Sequence, residues 1–103
     1  MVLEAAVLNV RAGEEPAFEQ AFRAAALLIA GVPGYISHQL QSCIETKGRY
    51  LLLVKWETLE AHTVGFRQSA AYQEWRRLLH HFYEPFPVVE HYEMRQEFWS
   101  NTA

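Results

Sequence analysis

The spacing of apolar residues in the first third of the chain predicts a strand followed by a helix. Residues 2–10 are apolar at nearly every position, which predicts a strand. From Phe18 to Ile29 the apolar residues recur every three or four positions, as in an amphipathic helix. Pro16 suits the first turn of this helix, and Gly31 lies at its expected end.

The middle of the chain predicts a β-hairpin. Residues 34–44 alternate loosely between apolar and polar side chains, and residues 49–57 are apolar on both faces, as in a strand. A polar turn that contains Gly48 separates the two runs. Two antiparallel strands are therefore expected here.

The second helical region is interrupted. Thr58 is a plausible N-cap for a short helix, Gly65 marks the end of that helix, and Ser69 is placed to cap a second helix that runs to about Tyr83. Prolines then break the pattern, and residues 88–96 predict a last strand. The order is β-α-β-β-α-β, an α+β fold of the ferredoxin-like type with an antiparallel four-stranded sheet and a broken second helix.

Such a sheet has one face that the helices do not cover. The first and third strands are apolar on both faces, so side chains such as Leu51 and Leu53, or their neighbours, need another cover. A second copy of the same sheet provides one. We therefore predict a homodimer whose sheets pack face to face.

Composition narrows the class of protein. The 103 residues predict a single domain, residues 1–103, and the net charge of -3 with scattered basic residues argues against binding to nucleic acid. No apolar stretch reaches membrane-spanning length, and the first residues lack the basic start of a secretory signal, so a cytoplasmic protein is expected. Cys43, the single cysteine, cannot form an internal disulfide and is expected to be a small buried residue.

Several short motifs carry a family resemblance. P-G-Y-I-S-H-Q-L is followed by W-E-T-L-E-A-H and F-R-Q-S-A-A-Y between Trp56 and Trp75, and then by V-V-E-H-Y-E. Over almost its entire length the chain resembles the antibiotic biosynthesis monooxygenase (ABM) family. The resemblance implies a dimeric α+β barrel. Several members oxidise aromatic or quinol substrates with O2 without metal, flavin or haem, so no cofactor is expected.

One branch of the family binds and degrades haem, and this chain departs from it. That branch uses an asparagine on the first strand and a tryptophan and a histidine on the second helical region. The matching positions here are Ala6, Phe66 and Arg76. Asn9 is nearby, but its offset along the strand places it on the opposite face. Haem degradation is therefore disfavoured.

His62 is the candidate catalytic residue. Its spacing from Leu59 and Phe66 places the three on one face of the short helix. A neutral imidazole beside an apolar pocket can accept the proton of a phenol, which makes the aromatic ring electron-rich enough to react with O2. The alternative is a core histidine that is hydrogen-bonded to the backbone.

Four further residues are candidates for substrate binding. Phe66 and Trp75 can stack on a flat aromatic ligand, although an aromatic stripe at helical spacing is also typical of a core. His38 and His91 can orient a substrate hydroxyl or lie in the dimer interface. Because neighbouring strand residues face opposite ways, only one of His91 and Tyr92 can face the helices.

Three functions remain open at this point. The first is a cofactor-independent monooxygenase that oxidises a small phenolic or quinol-type compound with O2. The second is a ligand-binding or stress-response protein that holds a small hydrophobic molecule in the same pocket without catalysis. The third is a dimer without a small-molecule role. No metal site is expected, because the adjacent His80 and His81 diverge by about 100° on a helix and cannot chelate jointly.

Overall fold

The computed structural model describes residues 1–99 and confirms the predicted order of elements. A π-helical segment and a 3₁₀ turn flank the second main helix. The elements are β1 (Val2–Asn9), α1 (Glu15–Ala30), β2 (Tyr35–Ser42), β3 (Arg49–Trp56), the π-helical segment (Ala61–Phe66), α2 (Ala70–Leu79), the 3₁₀ turn (His80–Phe82) and β4 (Val89–Glu93).

The four strands form one antiparallel sheet in the order β2-β3-β1-β4. This is the ferredoxin-like arrangement, and the sheet of a single chain is open. β4 is shorter than the predicted residues 88–96 because it pairs with β1, whose first residue, Val2, lies opposite Glu93. The α+β fold is thus confirmed, whereas the pairing of two sheets into a barrel stays a prediction.

One face of the sheet carries the core. Alternate residues of β1 and β3 point toward the helices, so that Leu8 lies opposite Tyr50 and Ala6 lies opposite Leu52. Phe18 of α1 packs on this face and is fully buried. Its ring centroid is 4.9 Å from that of Tyr50. Burial of large apolar side chains on this face supplies the main stabilisation of the fold.

Side-chain caps fix the break in the second helical region, as predicted. The Thr58 Oγ1 accepts a hydrogen bond from the N–H of Ala61 at 3.1 Å, and the Ser69 Oγ accepts one from the N–H of Tyr72 at 3.1 Å. Between these caps, the N–H of Arg67 donates to the carbonyl oxygen of His62 five residues earlier, at 3.1 Å. Such π-helical turns are rare and frequently lie at functional sites.

A glycine lets the π-helical segment approach the sheet. Gly34, just before β2, has a φ of +89°, and a Cβ built on it would lie 2.6 Å from the Cβ of Ala61. Both the left-handed backbone and the close contact require glycine here. The position of the π-helical segment therefore depends on a residue far from it in sequence.

The other face of the sheet is not covered by helices. Val7 is 46% exposed and Tyr92 is 51% exposed on this face, while Leu51 and Leu53 are partly exposed. Cys43, at the end of the hairpin, is half-buried and not fully buried as expected, because it lies one residue beyond β2. Within residues 1–99, no helix has the length and apolar character needed to span a bilayer.

Candidate functional site

A cavity of about 330 Å³ lies between the sheet and the second helical region. β1 and β3 form its floor, the π-helical segment and α2 form its walls, and the chain between α2 and β4 closes one side. Its lining residues are Glu4, Ala6, Leu8, Leu52, His62, Phe66, Arg67, Tyr72, Trp75, His80, Tyr83, Phe86, Pro87 and Val89.

Three of the five predicted site residues line this cavity: His62, Phe66 and Trp75. All three are buried. The Phe66 ring contacts the Trp75 ring edge to face, with centroids 5.6 Å apart. Leu59 does not share their buried face, contrary to expectation. It precedes the π-helical segment and is 41% exposed.

The other two predicted residues lie outside the lining of the cavity. His38 faces the helices from β2, where it is hydrogen-bonded to Tyr35 and its ring lies 6.0 Å from that of Phe22. It is therefore separate from the cavity. His91 also faces the helices, and Tyr92 faces away, as the alternation requires. Neither histidine lies on the uncovered face where a sheet-to-sheet interface would form.

His91 extends the site through a contact with His62. The Nδ1 of His62 and the Nε2 of His91 are 2.7 Å apart. Behind them, the imidazole of His62 stacks on the indole of Trp56, with centroids 5.3 Å apart and an angle of 18° between the planes. The His62 ring is therefore held in position on two sides.

Glu4 is the residue of the site that the sequence analysis missed. It lies on β1, is only 5% exposed and is the cross-strand neighbour of His91. Its Oε1 accepts a hydrogen bond from the Nε1 of Trp56 at 2.9 Å and lies 3.4 Å from the Nε2 of His62. A signal was present: Glu4 shares its alternation with Ala6 and Leu8, so a strand with this face buried carries a carboxyl group inward.

Burial determines the protonation of both groups. Loss of hydration, together with the positive charge of Arg67 and the neighbouring His91, lowers the pKa of His62 to about 3. Burial raises the pKa of Glu4, while the hydrogen bond from Trp56 and the charge of Arg67 oppose this increase. His62 is therefore neutral at pH 7, and its 3.4 Å contact with Glu4 is not an ion pair.

The remaining polar groups lie around the wall and rim of the cavity. Arg67 is exposed at the rim, and none of the carboxylates in residues 1–99 lies within ion-pairing distance of it. Tyr83 is buried, and burial raises the pKa of its phenol, so it stays protonated. No periodicity marks these groups, because they follow a helix break or lie in irregular chain.

The three positions that match the functional residues of the haem-degrading branch do not all lie at the cavity. Ala6 and Phe66 line the cavity, whereas Arg76 is exposed on α2 and is not part of the lining. Among residues 1–99, no group of three or more histidine, cysteine, aspartate or glutamate side chains is arranged to hold a metal ion.

The pH dependence of stability tests the buried, neutral state of His62. A folded-state pKa of about 3, below the ordinary value of 6.5, means that the unfolded chain binds the extra proton as the pH falls below 6.5. Between pH 7 and pH 5 the free energy of unfolding therefore falls by about 2 kcal/mol. Urea unfolding of His62→Asn should lack this loss.

His81→Asn is the matched control, since His81 is an exposed histidine in the same half of the chain. It should retain the full pH dependence of the wild type. Parallel pH dependences for the wild type and His62→Asn would contradict the buried state of the imidazole. The raised pKa of Glu4 acts in the opposite direction, and comparison of variants separates the two effects.

Comparisons with known proteins agree with this architecture. The antibiotic biosynthesis monooxygenase family profile matches residues 1–78. The chain is 59% identical over 93 residues to the uncharacterized protein YczJ of Bacillus subtilis (strain 168), which covers 90% of this chain and 98% of that protein.

Two solved structures show the same fold. A Bordetella bronchiseptica protein, provisionally assigned as an antibiotic biosynthesis monooxygenase, superposes with a TM-score of 0.87 at 37% identity, over 92% of this chain and 97% of that chain. SnoaB of Streptomyces nogalater, a cofactor-independent oxygenase, superposes with a TM-score of 0.74 at 19% identity, over 93% and 94% of the two chains. The chain belongs to the antibiotic biosynthesis monooxygenase family.

Proposed function

We propose that the protein is a cofactor-independent monooxygenase that oxidises a small phenolic or quinol-type compound with O2. The observation that carries this proposal is the neutral His62, which lies 3.4 Å from a buried carboxyl group in the wall of a cavity with aromatic sides. Family membership and the fold shared with SnoaB support this reaction class.

The size and lining of the cavity favour a small aromatic substrate. An apolar cavity of about 150 Å³ holds a benzene molecule, so about 330 Å³ has room for a compound of one or two rings. Phe66, Tyr72 and Trp75 present ring faces and edges to this space, where they can pack on a planar ligand.

In this reaction the protein has two roles, which are to bind the substrate and to transfer its proton. Loss of the hydroxyl proton makes the ring of a hydroquinone a better electron donor to O2. One oxygen atom then enters the ring and the other leaves as water, so that hydroquinone and O2 give hydroxyquinone and water with no other reductant. We propose that His62 is required for the removal of the proton and that Phe66 and Trp75 orient the ring.

Oxygen consumption tests this function. Purified protein freed of metal and flavin should consume O2 with a substituted hydroquinone and release the hydroxyquinone, as followed with an oxygen electrode and by mass spectrometry. His62→Ala should lower the rate at least tenfold, because proton transfer by a positioned group typically contributes about 10²–10⁴-fold. His81→Ala, a change at an exposed histidine, should leave the rate unchanged.

The assigned role of His62 is wrong if His62→Ala turns over a genuine substrate at the wild-type rate.

A second function is favoured by one observation: both ring nitrogens of His62 already contact protein groups, as in a structural histidine. A non-catalytic ligand-binding protein would quench the fluorescence of Trp75 on binding phenols, an effect absent in Trp75→Phe, and would consume no O2.

We also propose that the protein is a homodimer joined through the uncovered face of the sheet. This face presents Leu3, Val7, Leu51 and Leu53, and a groove of about 550 Å³ follows its edge beside residues 93–98. An apolar sheet face of this kind is stabilised when a second copy removes it from water.

Light scattering at micromolar concentration should give the mass of a dimer. Val7→Lys should shift the protein toward monomer, since it places a charge on the uncovered face. Leu27→Lys is the control, because Leu27 is 79% exposed on α1, away from that face. A monomeric wild type, or a dimer that Leu27→Lys disrupts and Val7→Lys does not, would contradict this interface.

A further inference from the structure

Both ring nitrogens of His62 are engaged by protein groups. Its Nδ1 lies 2.7 Å from the Nε2 of His91, and its Nε2 lies 3.4 Å from the Oε1 of Glu4. A neutral imidazole has one donor and one acceptor nitrogen. One arrangement suits both contacts with Glu4 ionised: His91 donates to Nδ1, and the hydrogen on the Nε2 of His62 lies on the side of the Glu4 carboxylate. No nitrogen of His62 is then left for a substrate hydroxyl.

Glu4 has an oxygen atom that is not engaged. Its Oε1 accepts from Trp56, and its Oε2 makes no hydrogen bond to a residue in the described part of the chain. Within residues 1–99, no fully buried side-chain nitrogen or oxygen lacks a hydrogen-bond partner. The Oε2 of Glu4 is therefore accessible, and the space that Glu4 lines is the cavity.

Resting on the proposed function, we propose that Glu4 is the catalytic base and that its Oε2 takes the proton of the substrate hydroxyl. His62 and His91 are then positioning residues that hold the carboxyl group through its other oxygen. This explains why loss of His62 would slow the reaction although His62 does not contact the substrate.

The proton balance closes within the cavity. The O–H bond of the substrate breaks and a bond from the proton to Oε2 forms, so one negative charge moves from Glu4 to the substrate and no additional charge is created. A ring carbon then bonds to one oxygen atom of O2, and Glu4 returns the proton to the other oxygen atom, which gives a ring hydroperoxide. As the O–O bond breaks, the hydrogen on that carbon leaves as a proton and joins the departing hydroxide, so that water forms and the carbon becomes a carbonyl. The carboxylate is thereby restored, and no proton has to cross the protein.

The surrounding charges suit this transfer. Glu4 faces His62 and Arg67 from the second helical region and His91 from β4. The remaining ionisable groups of the cavity lining are Tyr72, His80 and Tyr83. Among the described residues that line the cavity, Arg67 carries a positive charge, and this charge favours an anionic substrate there.

Burial also makes Glu4 the stronger base of the pair. The pKa of Glu4 is raised by burial, whereas the pKa of His62 is lowered to about 3. A base whose pKa lies nearer the working pH accepts a proton more readily while remaining ionised. The carboxylate and not the imidazole is thus suited to the transfer.

Glu4→Gln tests the proposal, because glutamine keeps an oxygen for Trp56 and cannot take a proton. The variant should lower kcat at least about 100-fold with KM changed less than threefold, and circular dichroism should show an unchanged fold. In the wild type, kcat/KM should rise with pH as Glu4 ionises, and the residual activity of Glu4→Gln should lack this rise. Glu4→Asp should restore part of the rate.

The control is Glu90→Gln, since Glu90 is exposed on β4, opposite Ala5, and faces away from the cavity. It should match the wild type. A Glu4→Gln rate within threefold of wild type would overturn the role of Glu4, while a slow His62→Ala in the same assay would leave the proposed function standing.

A second measurement does not depend on turnover. 4-Nitrophenol, bound without O2 at a pH where the free compound is protonated, should show phenolate absorbance in the wild type and none in Glu4→Gln. If the wild type forms the phenolate but consumes no O2 with any quinol, the proposed function is wrong and the role of Glu4 as the base is supported. Equal spectra for the two proteins would overturn the role of Glu4.

Discussion

The buried carboxyl group of Glu4 is the constraint on which the site depends. A carboxyl group removed from water is costly unless it is hydrogen-bonded, and Trp56 donates a hydrogen bond to it while the His62 ring lies 3.4 Å away. To reach it, His62 must lie directly above the sheet, stacked on Trp56. The π-helical turn and the contact between Gly34 and Ala61 allow that approach. The cavity is the space that remains beside this group.

Much of the fold was predictable because the secondary structure that short segments of this chain favour is the one they adopt in the folded protein. Alternation in β1 and β3, and the capping side chains Thr58 and Ser69, act over a few residues and are visible in the sequence. The spacing of His62 and Phe66 also placed both correctly in one cavity wall. What periodicity could not supply is long-range: which strand residue meets which helix residue.

Three residues illustrate that limit. In the sequence Glu4 interrupts an apolar strand. Only the pairing of β1 with β4 shows that Glu4 lies opposite His91. His38 has the same residue type as His62 and His91, yet β2 lies at the opposite edge of the sheet from β4, and so His38 is away from the cavity. Leu59 has helical spacing but precedes the π-helical turn and is exposed.

The central claim is that a small phenol binds in this cavity with its hydroxyl on Glu4. A crystal structure of the complex with a phenol that resists oxidation, grown without O2, tests it most directly. We expect a ring packed on Phe66 and Trp75, with its hydroxyl oxygen within hydrogen-bond distance of the Oε2 of Glu4. A ring bound elsewhere, or one whose hydroxyl points away from Glu4, would contradict it.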